Sequence, residues 1–97
     1  MGRYVPKPID TTAVVLPLHL EELTELLAEN AHENWAAQRI EDGWRWGAHR
    51  SDVDKSHPSL VAYEQLPEAE KAYDRRTAME TVKAIVSLGY EISHKTK

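Results

Sequence analysis

The chain has 97 residues, enough for one domain, and its 41% hydrophobic and 29% charged residues are an ordinary balance for a folded globular protein. A formal net charge of −4 argues against a nucleic-acid-polymer binder, which carries a basic excess. There is no cysteine, which rules out disulfides, thiolate metal sites and cysteine nucleophiles.

The absence of cysteine also suits a reducing compartment, so a cytoplasmic location is expected. No apolar run approaches the roughly 20 residues of a membrane span. The opening MGRYVPKPID lacks the apolar stretch of a signal peptide.

Residues 1–15 begin extended. Pro6 and Pro8 disfavour helix and push the residues before them toward β or polyproline geometry. Asp10, Thr11 and Thr12 suit a turn, and residues 13–16 suit a short strand or an extended lead into Pro17.

A long helix is predicted from position 17 or 18 to about 41. Leu20, Leu23, Leu27, Ala31 and Asn34 recur at helical spacing and mark its expected core stripe. Pro17 fits the first turn, and Glu21, Glu22 and Glu25 suit the positive end of the helix. Arg39 suits the negative end, and Gly43 is placed to stop it. On this helix His32, Trp35 and Arg39 stand at i, i+3 and i+7, on one face beside the leucine stripe.

Residues 43–58 lack periodicity. In GWRWG, an extended backbone would send Trp44 and Trp46 one way and Arg45 the other. The polar run HRSDVDKSHPS reads as a long loop, a kind of segment that is often functional or anchored by its own side chains. Residues 60–66 fit a short helix or an extended link. A second helical region is predicted over residues 67–88, started by Pro67 and stopped by Gly89. Thr77 and Glu80 have capping-box spacing, so this region is expected to break near residues 73–76. Met79, Val82, Ile85 and Val86 supply its core face, residues 90–92 suit a closing strand, and the tail 93–97 is expected to fray.

The chemistry-bearing residues concentrate in LAENAHENWAAQRIEDGWRWG, which holds all three tryptophans. An indole between an imidazole and a guanidinium suits a flat or anionic ligand, by stacking and by bidentate contact. The same residues also have ordinary structural uses. Tryptophans fill cores, and Glu41, Asp42, Asp52 and Asp54 are near enough in sequence to neutralise Arg39, Arg45, Arg50 and Lys55. His32 opens His-Glu-Asn-Trp-Ala, but Ala36 stands where a zinc-protease helix needs its second histidine. No metal spacing, nucleophile elbow or phosphate loop is present, so neither a metal, a cofactor nor catalysis is expected.

The string YVPKPIDTT, the block LAENAHENWAAQRIEDGWRWG, the segment KSHPSLVAYEQLPEAEKAYDR and the ending TAMETVKAIVSLGYEI together resemble the ryanodine-receptor repeat, or RYR domain. The resemblance is collinear over about residues 4–92, so residues 1–97 are expected to be a single RYR-type domain. It implies a mainly α fold: two long antiparallel helices, a shorter or broken helical segment, and short extended or strand pieces. In giant calcium-release channels such repeats come in tandem pairs on the cytosolic periphery and do not form the pore. Similar single domains occur in bacteria. The resemblance further implies binding of an adenine nucleotide or another small molecule. By motif position the implied lining is His32, Trp35 and Arg39 from the first helix, with Arg50 and His57 from the loop. Trp46, from the same tryptophan-rich block, completes the candidate set. This chain carries one repeat, so a pocket shared between repeats would need a second copy from a homodimer.

Two functions follow. One is a non-enzymatic sensor of a nucleotide or nucleotide-derived anion. The other is a protein-interaction or assembly module, in which the tryptophans are core and rim and the acidic surface meets a partner or a second copy.

Overall fold

The computed structural model describes residues 2–95. Its elements are α1 (Leu18–Glu41), β1 (Arg45–Trp46), β2 (Ser56–His57), a 3-10 turn (Tyr63–Gln65) and α2 (Glu68–Ser87). The mainly α class with small strand pieces is as expected.

Both helices begin at a proline with extended backbone. Proline lacks an N–H, so it loses nothing at a position where that group would have no helical partner. The Pro17 carbonyl accepts from Leu20 N at 2.9 Å and from Glu21 N at 3.2 Å. Both helices also end alike. Gly43 and Gly89 sit at φ +93° and +97°, the left-handed region where a Cβ is costly. After α1, Trp44 N donates to Arg39 O at 2.9 Å and Gly43 N to Ile40 O at 3.0 Å. After α2, Tyr90 N donates to Ile85 O at 3.2 Å and Gly89 N to Val86 O at 3.0 Å. These paired bonds are Schellman motifs, which satisfy the last carbonyls and reverse the chain.

α1 and α2 pack against each other. Leu16, Leu20 and Val82 are buried together at one end of the pair, and Ala28, Tyr63, Leu66 and Ala78 at the other. Leu27 packs on both clusters. The buried row of α1 is Leu20, Thr24, Ala28, His32 and Ala36. This corrects the expected stripe: Leu23 and Leu27 are half-buried, while Ala31 and Asn34 are exposed. Small side chains explain the rotation. Ala28 is fully covered and shares a cluster with Ala78, so the helices meet there along small residues, with Leu20 buried in the same row and Leu23 and Leu27 flanking the seam. His32 therefore lies in the buried row rather than beside it.

α2 runs unbroken through residues 73–76. Thr77 does not cap a new helix; its Oγ1 donates to the Tyr73 carbonyl one turn back, at 3.1 Å. Strand structure appears at β1 and β2, which pair in parallel with Arg45 opposite Ser56 and Trp46 opposite His57. Residues 14–16 and 90–92 lie outside any strand, and Ala13 belongs to a turn closed by Val14 N donating to the Thr11 carbonyl at 3.0 Å. The expected turn at Asp10 is present: its carboxylate accepts from Thr12 N at 3.0 Å and from Thr12 Oγ1 at 2.7 Å. Of the tail expected to fray, residues 96 and 97 lie outside the described residues.

The core has few large buried side chains, so each one matters. Leu20 is buried and Leu26, on the same helix, is exposed. Leu20→Ala is expected to cost about 2–4 kcal/mol, through lost transfer energy and the cavity it leaves. Leu26→Ala is expected to stay within about 0.5 kcal/mol of the parent. Urea denaturation of the two variants checks the difference.

Candidate functional site

The site is built on the imidazole of His32, which is 5% exposed. Its Nε2 lies 2.7 Å from the Val61 carbonyl oxygen. A carbonyl only accepts, so Nε2 carries a proton and donates. This bond ties the segment after β2 to α1.

Around His32 the aromatic rings form a chain. Its ring stacks on Trp35 with centroids 5.6 Å apart and planes 30° apart, and tilts against Tyr63 at 6.2 Å. Trp35 meets His57 edge-on at 5.0 Å, and His57 tilts against Trp44 at 6.4 Å. The Arg39 guanidinium stands 4.7 Å from the centroid of Trp44 and 5.7 Å from that of Trp35, within cation–π reach of both. The helix stop after Glu41 turns Trp44 back over α1, and Lys55 holds the loop there by donating from Nζ to the Asp42 carbonyl at 2.8 Å.

A cavity of about 300 Å³ opens beside these rings. His32, Trp35 and His57 line one side, and Glu70, Tyr73 and Asp74 of α2 line the other. Of the six residues expected at the site, His32, Trp35 and His57 thus share the cavity. Arg39 packs in the same aromatic cluster without lining it. Trp46 is 57% exposed and also lies outside the lining, so the two rings of GWRWG have different surroundings. Arg50 pairs with Asp52 at 3.0 Å on the exposed loop.

Sequence reasoning missed the wall from α2. Glu70, Tyr73 and Asp74 stand at i, i+3 and i+4, a readable one-face spacing, but the break expected at residues 73–76 hid it.

The electrostatics are asymmetric. Burial pushes the Asp74 carboxyl above its ordinary range, against the pull of His32 nearby. Burial lowers the pKa of His57, and the charges of Arg50 and Arg39 add to that. His57 Nδ1 also accepts from Ser59 N at 3.0 Å, a bond only the unprotonated nitrogen makes. The cavity therefore has two carboxylates on its α2 side, while two guanidiniums act on His57 across from them.

A family model described as the RyR domain matches residues 4–94. The chain belongs to the RyR-domain family. This RyR domain is a single repeat resembling those of the ryanodine receptors. Among its described residues no helix is long and apolar enough to cross a membrane, and no group of three or more metal-ligating side chains gathers.

The lowered pKa of His57 predicts a pH effect on folding. Between the ordinary histidine pKa of about 6.5 and the lowered folded value, the unfolded chain binds more protons than the folded one. The stability contributed by neutral His57 is complete above about pH 6.5 and is lost as pH falls below it. His57→Gln should flatten that part of the profile relative to the parent, as measured by urea midpoints across pH 5–8.

Proposed function

We propose that this RyR domain is a non-enzymatic, cytoplasmic ligand-binding module whose ligand is a nucleotide or a nucleotide-derived anion. One observation carries the reading: the rings of His32, Trp35 and His57 border a cavity of about 300 Å³, at the lower end of the size range of small-molecule pockets. A flat heteroaromatic ring fits such walls, because stacking on aromatic side chains contributes about 1–3 kcal/mol per base and every base has a π face.

Charge then orients the ligand. Glu70 and Asp74 on the α2 side disfavour phosphate there and favour amino or ring N–H donors. Arg39 and Arg50 act on His57 from the side of the loop, where an anionic group would be neutralised. In this reading Arg50 exchanges its exposed partner Asp52 for the ligand, at little cost, since such surface pairs are weak. The net charge of −4 does not oppose an anion bound beside two local guanidiniums. The domain is not itself a channel; sensing is its role.

Isothermal titration with ATP, ADP-ribose and cyclic AMP tests the proposal. Saturable binding of at least one is expected. Trp35→Ala should weaken it about tenfold or more, and Arg39→Ala should weaken the nucleotide more than its uncharged nucleoside. Circular dichroism checks that the variants remain helical. Absence of binding by the folded parent, or affinity indifferent to Trp35→Ala, would sink the idea.

A further inference from the structure

A compact monomer of this mass exposes roughly 5,700 Å². This chain exposes 7906 Å². Its radius of gyration is 16.7 Å, against about 12.5 Å for a compact domain of this length. The chain measures 51 × 44 × 23 Å, so it is flat and extended rather than spherical. The surplus, on the order of 2,000 Å² per chain, includes the exposed arm of residues 2–10 and exceeds the roughly 800 Å² that each partner of a standard interface buries.

Part of that surplus lies along the outer face of α2. The extended arm before α1 is fastened beside the helix: Thr11 Oγ1 donates to Glu80 at 2.8 Å, and Ser87 Oγ donates to the Asp10 carbonyl at 3.2 Å. Between arm and helix runs a groove of about 500 Å³, with Pro8 and Ile9 on one wall and Tyr73, Thr77 and Ala84 on the other. Tyr73 is 74% exposed there, and Ile9 is exposed as well. Beyond the groove the same helix continues with exposed Ile85, and exposed Leu88 follows as its C-cap.

The charges of the groove select its occupant. Arg76 and Glu80 are its two charged lining residues, one of each sign, in a chain that is otherwise acidic. They stand one turn apart on the same face. Arg76 is in no salt bridge among the described residues. In a two-fold pairing each contact occurs twice, residue i against j and j against i. Two α2 helices crossing antiparallel at the level of residue 78, midway between Arg76 and Glu80, would set Arg76 of each chain against Glu80 of the other. Thr77, and Ala84 two turns on, are small enough to let the helices approach.

We propose that a second copy of this chain occupies the groove between α2 and the N-terminal arm, forming a two-fold dimer registered by reciprocal Arg76–Glu80 pairs. The ligand cavity adjoins this interface through Tyr73, which lines both hollows. The dimer does not depend on any ligand, so its test is made without nucleotide.

Light scattering coupled to size exclusion, run from low to high micromolar concentration, should show the mass rise from one chain of 11.1 kDa toward twice that value. Arg76→Glu and Glu80→Arg should each weaken the dimer about tenfold or more, because like charges then face each other. The double variant Arg76→Glu plus Glu80→Arg should restore it. Glu80→Arg alone also breaks the bond from Thr11, so restoration by the double variant separates pairing across the interface from local damage. A monomer at every concentration, a dimer indifferent to Arg76→Glu, or a double variant that stays monomeric overturns the proposal.

Discussion

One hydrogen bond holds the site together: the Nε2–H of His32 to the Val61 carbonyl, at 2.7 Å. It joins a buried imidazole to a half-buried segment 29 positions away in the chain. Losing the bond would leave the buried imidazole N–H without its partner, which is costly. The bond therefore does two things at once. It docks the segment between β2 and α2 onto α1, and it fixes the plane of the imidazole. Trp35 stacks on that plane, His57 meets Trp35 edge-on, and Trp44 follows with Arg39 against its ring. The order of the rings follows from the anchoring of the first.

Packing of this kind suits binding. The rings are preorganised by their own packing, so a flat ligand entering beside them would order few side chains, and less affinity would be lost to entropy. The carboxylates on α2 and the guanidiniums near His57 make the site polar in a definite direction despite its mainly apolar walls. Burial holds Asp74 above its ordinary range and His57 below its own, one group on each side of the cavity. The open groove along α2 is a separate feature, and the chain's large surface bears on that groove rather than on the cavity.

Much of the fold was legible in the residues because its boundaries are set by residues with one conformational use. Pro17, Gly43, Pro67 and Gly89 begin and end the two helices at or beside the expected positions. The interior was harder. Periodicity favoured the leucines as the core stripe, yet helices pack closest where side chains are smallest, so Thr24, Ala28 and Ala36 took the seam. The Thr77–Glu80 spacing suggested a break, but a threonine within a helix satisfies itself on the carbonyl one turn back. That single misreading concealed the Glu70, Tyr73 and Asp74 wall. The His32–Trp35 contact was readable as a one-face spacing. The bond to Val61, and the approach of His57, join distant parts of the chain and have no local signature.

The most direct test observes the rings themselves. The three tryptophans give three indole N–H signals in a ¹H–¹⁵N spectrum, and single Trp→Phe variants assign them. ATP is then added to the parent protein. The expected result is saturable movement of the Trp35 signal, with Trp44 following and the exposed Trp46 nearly still. Movement confined to Trp46, or three indoles that ignore the nucleotide, would contradict a ligand held beside His32.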